Sequence, residues 1–208
     1  MSNAETTEPL KRNSQAHLDR LLQQMLDQPE REAELTREVE EQFGETRAVL
    51  VLDMSGFSRT TQLRGIVAFL LMIHRMRQIV TPVIEAHGGL VIKAEADNLL
   101  CLLNSVADAV AAARALIQHL NTDNATCGGD RQIYVSIGIG WGRVLNIDED
   151  DLFGDEVNLA SKLGEDLAGR SEVLLTPAAQ AQAAEAGIAT REAAASISGL
   201  PLTYHRLA

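Results

Sequence analysis

At 208 residues, with a formal net charge of −11 and a pI near 4.9, the chain is sized for one domain with an appendage, and its acidity argues against a general binder of nucleic acid or anionic membrane, whose phosphates demand basic patches. Cys101 and Cys127 are the only cysteines, too few for a disulfide framework, and the first sits in the apolar run Leu99-Leu100-Cys101-Leu102-Leu103 as a small buried hydrophobe. The N-terminus is polar and no run approaches the ~18 consecutive apolar residues of a membrane span, so a cytoplasmic protein with no nucleic-acid and no membrane partner is expected.

Residues 1–15 are polar and aperiodic. Leu18, Leu21, Leu22, Met25 and Leu26 then recur at helical spacing until Pro29 interrupts them, and a second helix over 30–43 carries Leu35, Val39 and Phe43 before stopping at Gly44. Residues 1–45 therefore read as a polar tail and a helical lead-in of dimerising or regulatory kind, ahead of a single domain over 46–208.

From Arg47 the texture changes. Ala48-Val49-Leu50-Val51-Leu52 is a continuous apolar run of strand length, closed by Asp53 and a Ser55-Gly56 turn signal, which predicts a buried central strand. A long helical pattern over 65–87, with Pro82 as a kink, ends at Gly88-Gly89. Leu90-Val91-Ile92 begins a second strand, Ala96-Asp97-Asn98 a hairpin, and 99–103 a third strand. An alanine-rich helix over 106–120 precedes a strand over 133–139, then Gly140-Trp141-Gly142, an acidic loop at 148–151 and a helix over 155–167. A short strand at 173–175, a helix over 177–186 with Pro177 at its start and a strand over 202–206 close the chain. The order predicts an α+β fold, a ferredoxin-like βαββαβ sandwich with additional C-terminal strands and helix.

A right-handed crossover between strands 47–53 and 89–95 makes them parallel, so Asp53 and the hairpin Asp97 are expected along the same edge of the sheet. Two carboxylates converging there suit Mg²⁺, which prefers one or two carboxylates together with water and phosphate oxygens. The turn Met54-Ser55-Gly56-Phe57-Ser58 beside Asp53 offers backbone N–H groups to a triphosphate. Taken singly, each Asp reads better as an ordinary turn former at a strand end; the pair in this topology does not.

Three segments together resemble class III adenylyl and guanylyl cyclases: Leu52-Asp53-Met54-Ser55-Gly56-Phe57-Ser58, Lys93-Ala94-Glu95-Ala96-Asp97, and the stretch from Asp151 through Phe153-Gly154-Asp155 to Val157-Asn158 and Lys162. The likeness covers roughly residues 47 to 207. It implies a head-to-tail homodimer in which Asp53, Met54 and Asp97 of one subunit hold two Mg²⁺ or Mn²⁺ ions. Ser55, Gly56, Phe57 and Ser58 would line the triphosphate. Lys93 and Asp151 fall where adenylyl cyclases read the base, a Lys donor for N1 and an Asp acceptor for the 6-amino group, so ATP is the expected nucleoside triphosphate. Asn158 would orient the ribose, and Lys162 stands at the transition-state position.

The chain also departs from that pattern. Lys162 replaces an Arg, keeping the charge and losing the planar fork that engages phosphate bidentately. Ser136 and the segment Ser196-Ile197-Ser198-Gly199 stand where the family often places a phosphate-binding Arg and Lys, and Arg143 or Arg206 could make up the charge. Ala96 replaces the Gly before the second metal Asp, although Ala resists positive φ, and the loop over 144–151 is short. The missing cations and the short loop motivate one alternative, a cyclase-homology module that binds a nucleotide or partner without turnover; a cyclase using GTP or another nucleotide, and a dimerisation domain driven by the N-terminal helices, are the others.

Overall fold

The computed structural model describes residues 13–55, 65–197 and 200–208. Its centre is β1 (Gly44–Met54), in which five consecutive residues, Ala48 to Leu52, are buried because both faces of this strand are covered. Around it run α1 (Gln15–Asp27), α2 (Glu32–Phe43), α3 (Ile66–Ala86), β2 (Leu90–Glu95), β3 (Asn98–Leu103), α4 (Val106–Thr126), β4 (Val135–Ile147), β5 (Asp151–Phe153), α5 (Asp155–Ser161), β6 (Val173–Leu175), α6 (Pro177–Glu185), β7 (Thr190–Ile197) and β8 (Leu200–Leu207).

The strands form one eight-stranded sheet in the order β2-β3-β1-β4-β6-β8-β7, with β5 paired to the far end of β4. β3 lies antiparallel between β1 and β2, so those two strands are parallel and their C-terminal ends share one edge, as the crossover argument requires. The α+β architecture expected from the sequence is the one observed.

Two faces of the sheet carry different cores. On one, Leu50, Leu52, Leu99, Ile137 and Ile139 pack with α3, α4 and α6, through Met76, Ile84, Leu116 and Ala179. On the other, Val49, Val51, Leu102 and Val144 pack with Val157 and Ala160 of α5. Cys101 belongs to the first core, where burial pushes its thiol up to about 12. By length and composition α3 could cross a membrane; here it lays Phe69, Met72, Ile73, Met76, Val80, Val83 and Ile84 into the core and continues through Pro82.

α1 and α2 form a hairpin whose Leu18, Leu21, Leu35, Val39 and Phe43 close over Ile147 at the end of β4. Arg143 of β4 reaches Glu40 of α2 with Nε 2.9 Å from Oε2, and a second Arg143 nitrogen donates to the Glu40 carbonyl. α2 ends at Phe43 and β1 starts at Gly44, with no residue between them. A side chain at Gly44 would run into the Glu40 backbone carbonyl, which cannot swing aside as the Arg143 side chain can, so glycine is favoured at this junction.

Three elements differ from the sequence reading. β4 continues past Ile139 through Gly140-Trp141-Gly142 to Ile147, and the expected 144–151 loop shrinks to a turn between β4 and β5. The glycines are spacers within the strand: a Cβ at Gly138 would sit 2.7 Å from the Gly164 nitrogen, and one at Gly140 2.6 Å from the Glu156 carbonyl. The expected 155–167 helix is α-helical only to Ser161 and continues as a π-helical turn over Lys162–Leu167, in which the Ala168 N–H reaches the Leu163 carbonyl at 2.8 Å. Finally, β7 forms a hairpin with β8 although its run Arg191-Glu192-Ala193-Ala194-Ala195 lacks strand-favouring residues.

Candidate active site

β1 delivers Asp53 to the sheet edge, where the next two residues already turn inward. Met54 buries its side chain in the core, 4% exposed, so only its backbone carbonyl is left to face a cation. The Ser55 N–H donates to the Tyr134 carbonyl at 2.9 Å, and Ser55 Oγ lies 3.4 Å from Ser136 Oγ. Ser136 is buried directly opposite Asp53 on the neighbouring strand, with its Oγ 3.4 Å from the Asp53 backbone carbonyl. Gly56, Phe57 and Ser58 lie outside the described residues, as do Ser198 and Gly199.

Asp97 occupies the two-residue turn between β2 and β3. Ala96 before it has φ 45°, the left-handed conformation that the family's glycine would adopt more easily. β1 and the β2–β3 turn bring Asp53 and Asp97 to one sheet edge, and the charge of Asp97 is legible in the chemistry of Asp53. Burial first, then the negative charges of Asp97 and Glu165, push its carboxyl up to about 7, against a lowering backbone hydrogen bond at Met54.

Glu165 is the residue that sequence reasoning missed. Its own carboxyl is raised by burial, then by Asp166 and Asp97. Nothing in a helical reading of 155–167 singles it out, because its position depends on the π-helical register and on Gly164, whose backbone lies against the Val51 carbonyl of β1. Among the described residues no three His, Cys, Asp or Glu side chains close around a single point as a metal cage. The donor set at Asp53 and Asp97 consists of hard carboxylate oxygens only, which fits Mg²⁺ or Mn²⁺ completed by phosphate oxygens and water.

A second group lies further along β2. Lys93 Nζ sits 3.0 Å from Asp151 Oδ2 and 3.3 Å from Glu95 Oε1, and these two carboxylates raise the Lys93 pKa, Asp151 foremost. Asp151 opens β5 and is half-buried, with its other oxygen accepting from the Leu152 N–H at 2.9 Å. It is therefore part of a built pair rather than of a solvated acidic loop.

Asn158 and Lys162 are exposed, on α5 and the π turn that follows it. α5 sits almost on the backbone of β4 because of the glycine spacers. Its Glu156 carboxylate accepts from the Trp141 N–H at 3.0 Å and from the Thr176 hydroxyl at 2.6 Å, which pins the helix at two points. Arg143 and Arg206 do not supply the missing cations within the chain: the first is bound to Glu40, the second to Glu172 with Nε 3.1 Å from Oε1.

No family model matches the chain. Over 116 residues, 56% of its length, it is 31% identical to candidate adenylate cyclase 3 of Rhizobium meliloti (strain 1021), and the match spans 20% of that relative. Among solved structures it is similar to the adenylate/guanylate cyclase/hydrolase from Silicibacter pomeroyi (20% identity, TM-score 0.68, covering 79% of this chain and 96% of that one). It is likewise similar to the catalytic core of a rhodopsin-guanylyl cyclase with converted specificity in complex with ATPalphaS (16% identity, TM-score 0.67, 79% and 96%). The adenylyl cyclase CyaB from P. aeruginosa is a third (17% identity, TM-score 0.65, 79% and 95%). The chain has the fold of the class III adenylate/guanylate cyclase catalytic domain, and the sequence resemblance read from its three motifs points to the same family.

Proposed function

We propose that this domain, with its class III cyclase fold, converts ATP to 3′,5′-cyclic AMP and pyrophosphate at a site shared between two copies of the chain. The observation that carries the reading is the meeting of Asp53 and Asp97 at one sheet edge, two ionisable oxygens-only ligands whose charges already repel, on a fold shared with cyclases. The 3′-oxygen would attack the α-phosphorus, forming one P–O bond as the bond to the pyrophosphate oxygen breaks, and the 3′-hydroxyl proton would leave to solvent.

Asp53 and Asp97, with the Met54 carbonyl, would hold two divalent cations at the triphosphate. Bound there, such ions lower the pKa of the attacking hydroxyl and offset charge on the attacking and leaving oxygens. The chain's own side chains do the rest by positioning. Lys93 donates to N1 of adenine and Asp151 accepts from the 6-amino group. Asn158 orients the ribose, and the Lys162 ammonium faces the phosphoryl oxygens as a point charge without the fork of an Arg. Gly56 to Ser58 would receive the phosphates on backbone N–H groups, while Ser55, whose own N–H is bound to the Tyr134 carbonyl, has only its hydroxyl to offer. In a head-to-tail pair, the metal ligands of one copy would meet the base-reading residues and α5 of the other, and two-fold symmetry would repeat the arrangement at a second site.

The deciding experiment incubates the purified chain with ATP, GTP, CTP or UTP and Mg²⁺ or Mn²⁺, then measures pyrophosphate and cyclic product. Turnover of ATP that Asp53→Ala abolishes is expected. No product from any nucleotide sinks the reading.

A second reading has its own support, since Lys162 and Ser136 leave the phosphates few cations: a module that binds nucleotide without cyclising it. Thermal stabilisation by ATP and Mg²⁺ without product would favour it, because a ligand selective for the native state raises its stability.

A further inference from the structure

Help for the Asp97 turn comes from outside the hairpin. Arg77, on α3, donates from Nη2 to the Ala96 carbonyl at 2.7 Å and to the Ala94 carbonyl at 3.1 Å. β2 is the edge strand of the sheet, and among the described residues no strand hydrogen-bonds to its outer side. One guanidinium nitrogen thus ties the last rungs of β2 to the residue immediately before Asp97.

That residue is the strained one. Ala96 at φ 45° occupies a conformation that L side chains resist, and such a turn persists only where its surroundings hold it. Arg77 is bound to the Ala96 carbonyl itself, the group that moves when the peptide unit between Ala96 and Asp97 relaxes. The arginine is not arranged to stabilise the surface at large, for its Nε is buried without a hydrogen-bond partner among the described residues, which costs stability.

We propose that Arg77 is a positioning residue that clamps the carbonyls of Ala94 and Ala96 and so fixes the Asp97 carboxylate opposite Asp53. The inference rests on the reading of Asp53 and Asp97 as cation ligands. It also explains how this chain uses an alanine where a glycine would form the turn without help. If Arg77 only covered edge-strand carbonyls, its loss would change stability and leave cation binding alone.

The test is Mn²⁺ binding by the full chain, followed by electron paramagnetic resonance of the free ion, with thermal midpoints measured alongside. Asp97→Ala is the reference for a lost ligand. Arg77→Met keeps the bulk, drops the unsatisfied Nε and both hydrogen bonds, and should keep a midpoint close to wild type while weakening Mn²⁺ binding about tenfold, the lower end of what loss of a group supporting a metal ligand costs. Arg77→Lys, which can still donate to a carbonyl, should lie between the two and serves if Arg77→Met does not fold. Adding Ala96→Gly to Arg77→Met should restore much of the affinity, because glycine adopts the turn unaided. Wild-type Mn²⁺ binding in Arg77→Met and Arg77→Lys, with Asp97→Ala defective, would overturn the role of Arg77 alone. Equal binding by wild type and Asp97→Ala would overturn the ligand reading and the Arg77 proposal with it.

Discussion

Lys93 and Asp151, 58 residues apart in sequence, are joined by a 3.0 Å ion pair that links the edge strand β2 to the short strand β5. In the proposed reaction the same two groups turn to the base, so the pair is the rest state of a donor and an acceptor held ready for adenine. Lys93→Glu would place a third carboxylate beside Asp151 and Glu95 and remove the donor to N1. ATP turnover should fall by more than about tenfold, since the base loses a charge-assisted donor and meets a carboxylate in its place. Steady-state rates with ATP and GTP measure it, and unchanged ATP turnover would refute the assigned role.

If the site is composite, two defective chains can repair one another. Asp53→Ala lacks a cation ligand and Lys93→Glu lacks the base donor; a mixed pair carries both lesions in one site and none in the other. Mixing the two inactive variants should therefore restore measurable turnover. Continued silence of the mixture, with mixed pairs shown to form, would mean that each chain works alone.

The raised Asp53 carboxyl makes a prediction about pH. Its folded value is about 7 against 3.8 for an ordinary Asp, so the folded protein binds this proton more tightly than the unfolded chain does. The associated stabilisation is fully present below about pH 4 and is lost as pH rises through about 7. Without divalent cations, the thermal midpoint of wild type minus that of Asp53→Asn should fall over this range and level off above it. Mn²⁺ should narrow the fall by favouring the ionised form. A difference that stays flat with pH would count against burial and like charge at Asp53.

Gly138 tests the packing beneath α5. Its missing side chain leaves room for the Ala160 carbonyl and the Gly164 nitrogen, backbone groups that cannot swing away. Gly138→Ala should cost roughly 3 kcal/mol or more, at the upper end of overpacking penalties, and should lower the urea midpoint accordingly. An unshifted midpoint would contradict the close approach of helix and strand.

Much of this arrangement is legible in the sequence because it depends on patterns that are local. The run from Ala48 to Leu52 announces a strand buried on both faces, and the connection rule then carries Asp53 and Asp97 to one edge without any coordinates. The lead-in helices follow from leucine spacing and from Pro29 and Gly44. What escaped the sequence depends on partners distant in the chain. Gly140-Trp141-Gly142 resembles a break until α5 is seen lying against it, and β7 is a strand only because β8 supplies its ladder. Glu165 reaches the carboxylate pair through a π-helical turn that no 3.6-residue periodicity discloses, and Arg77 looks like any charged residue on a helix until its carbonyl partners are known.

The direct passage from Phe43 of α2 to Gly44 of β1 has a mechanical consequence. A helix and a strand that share a peptide unit have no slack between them, and β1 is inextensible, hydrogen-bonded on both sides by β3 and β4. Any pull or twist applied to α2 from upstream is therefore delivered to the rod that carries Asp53 near its far end, without a loop to absorb it.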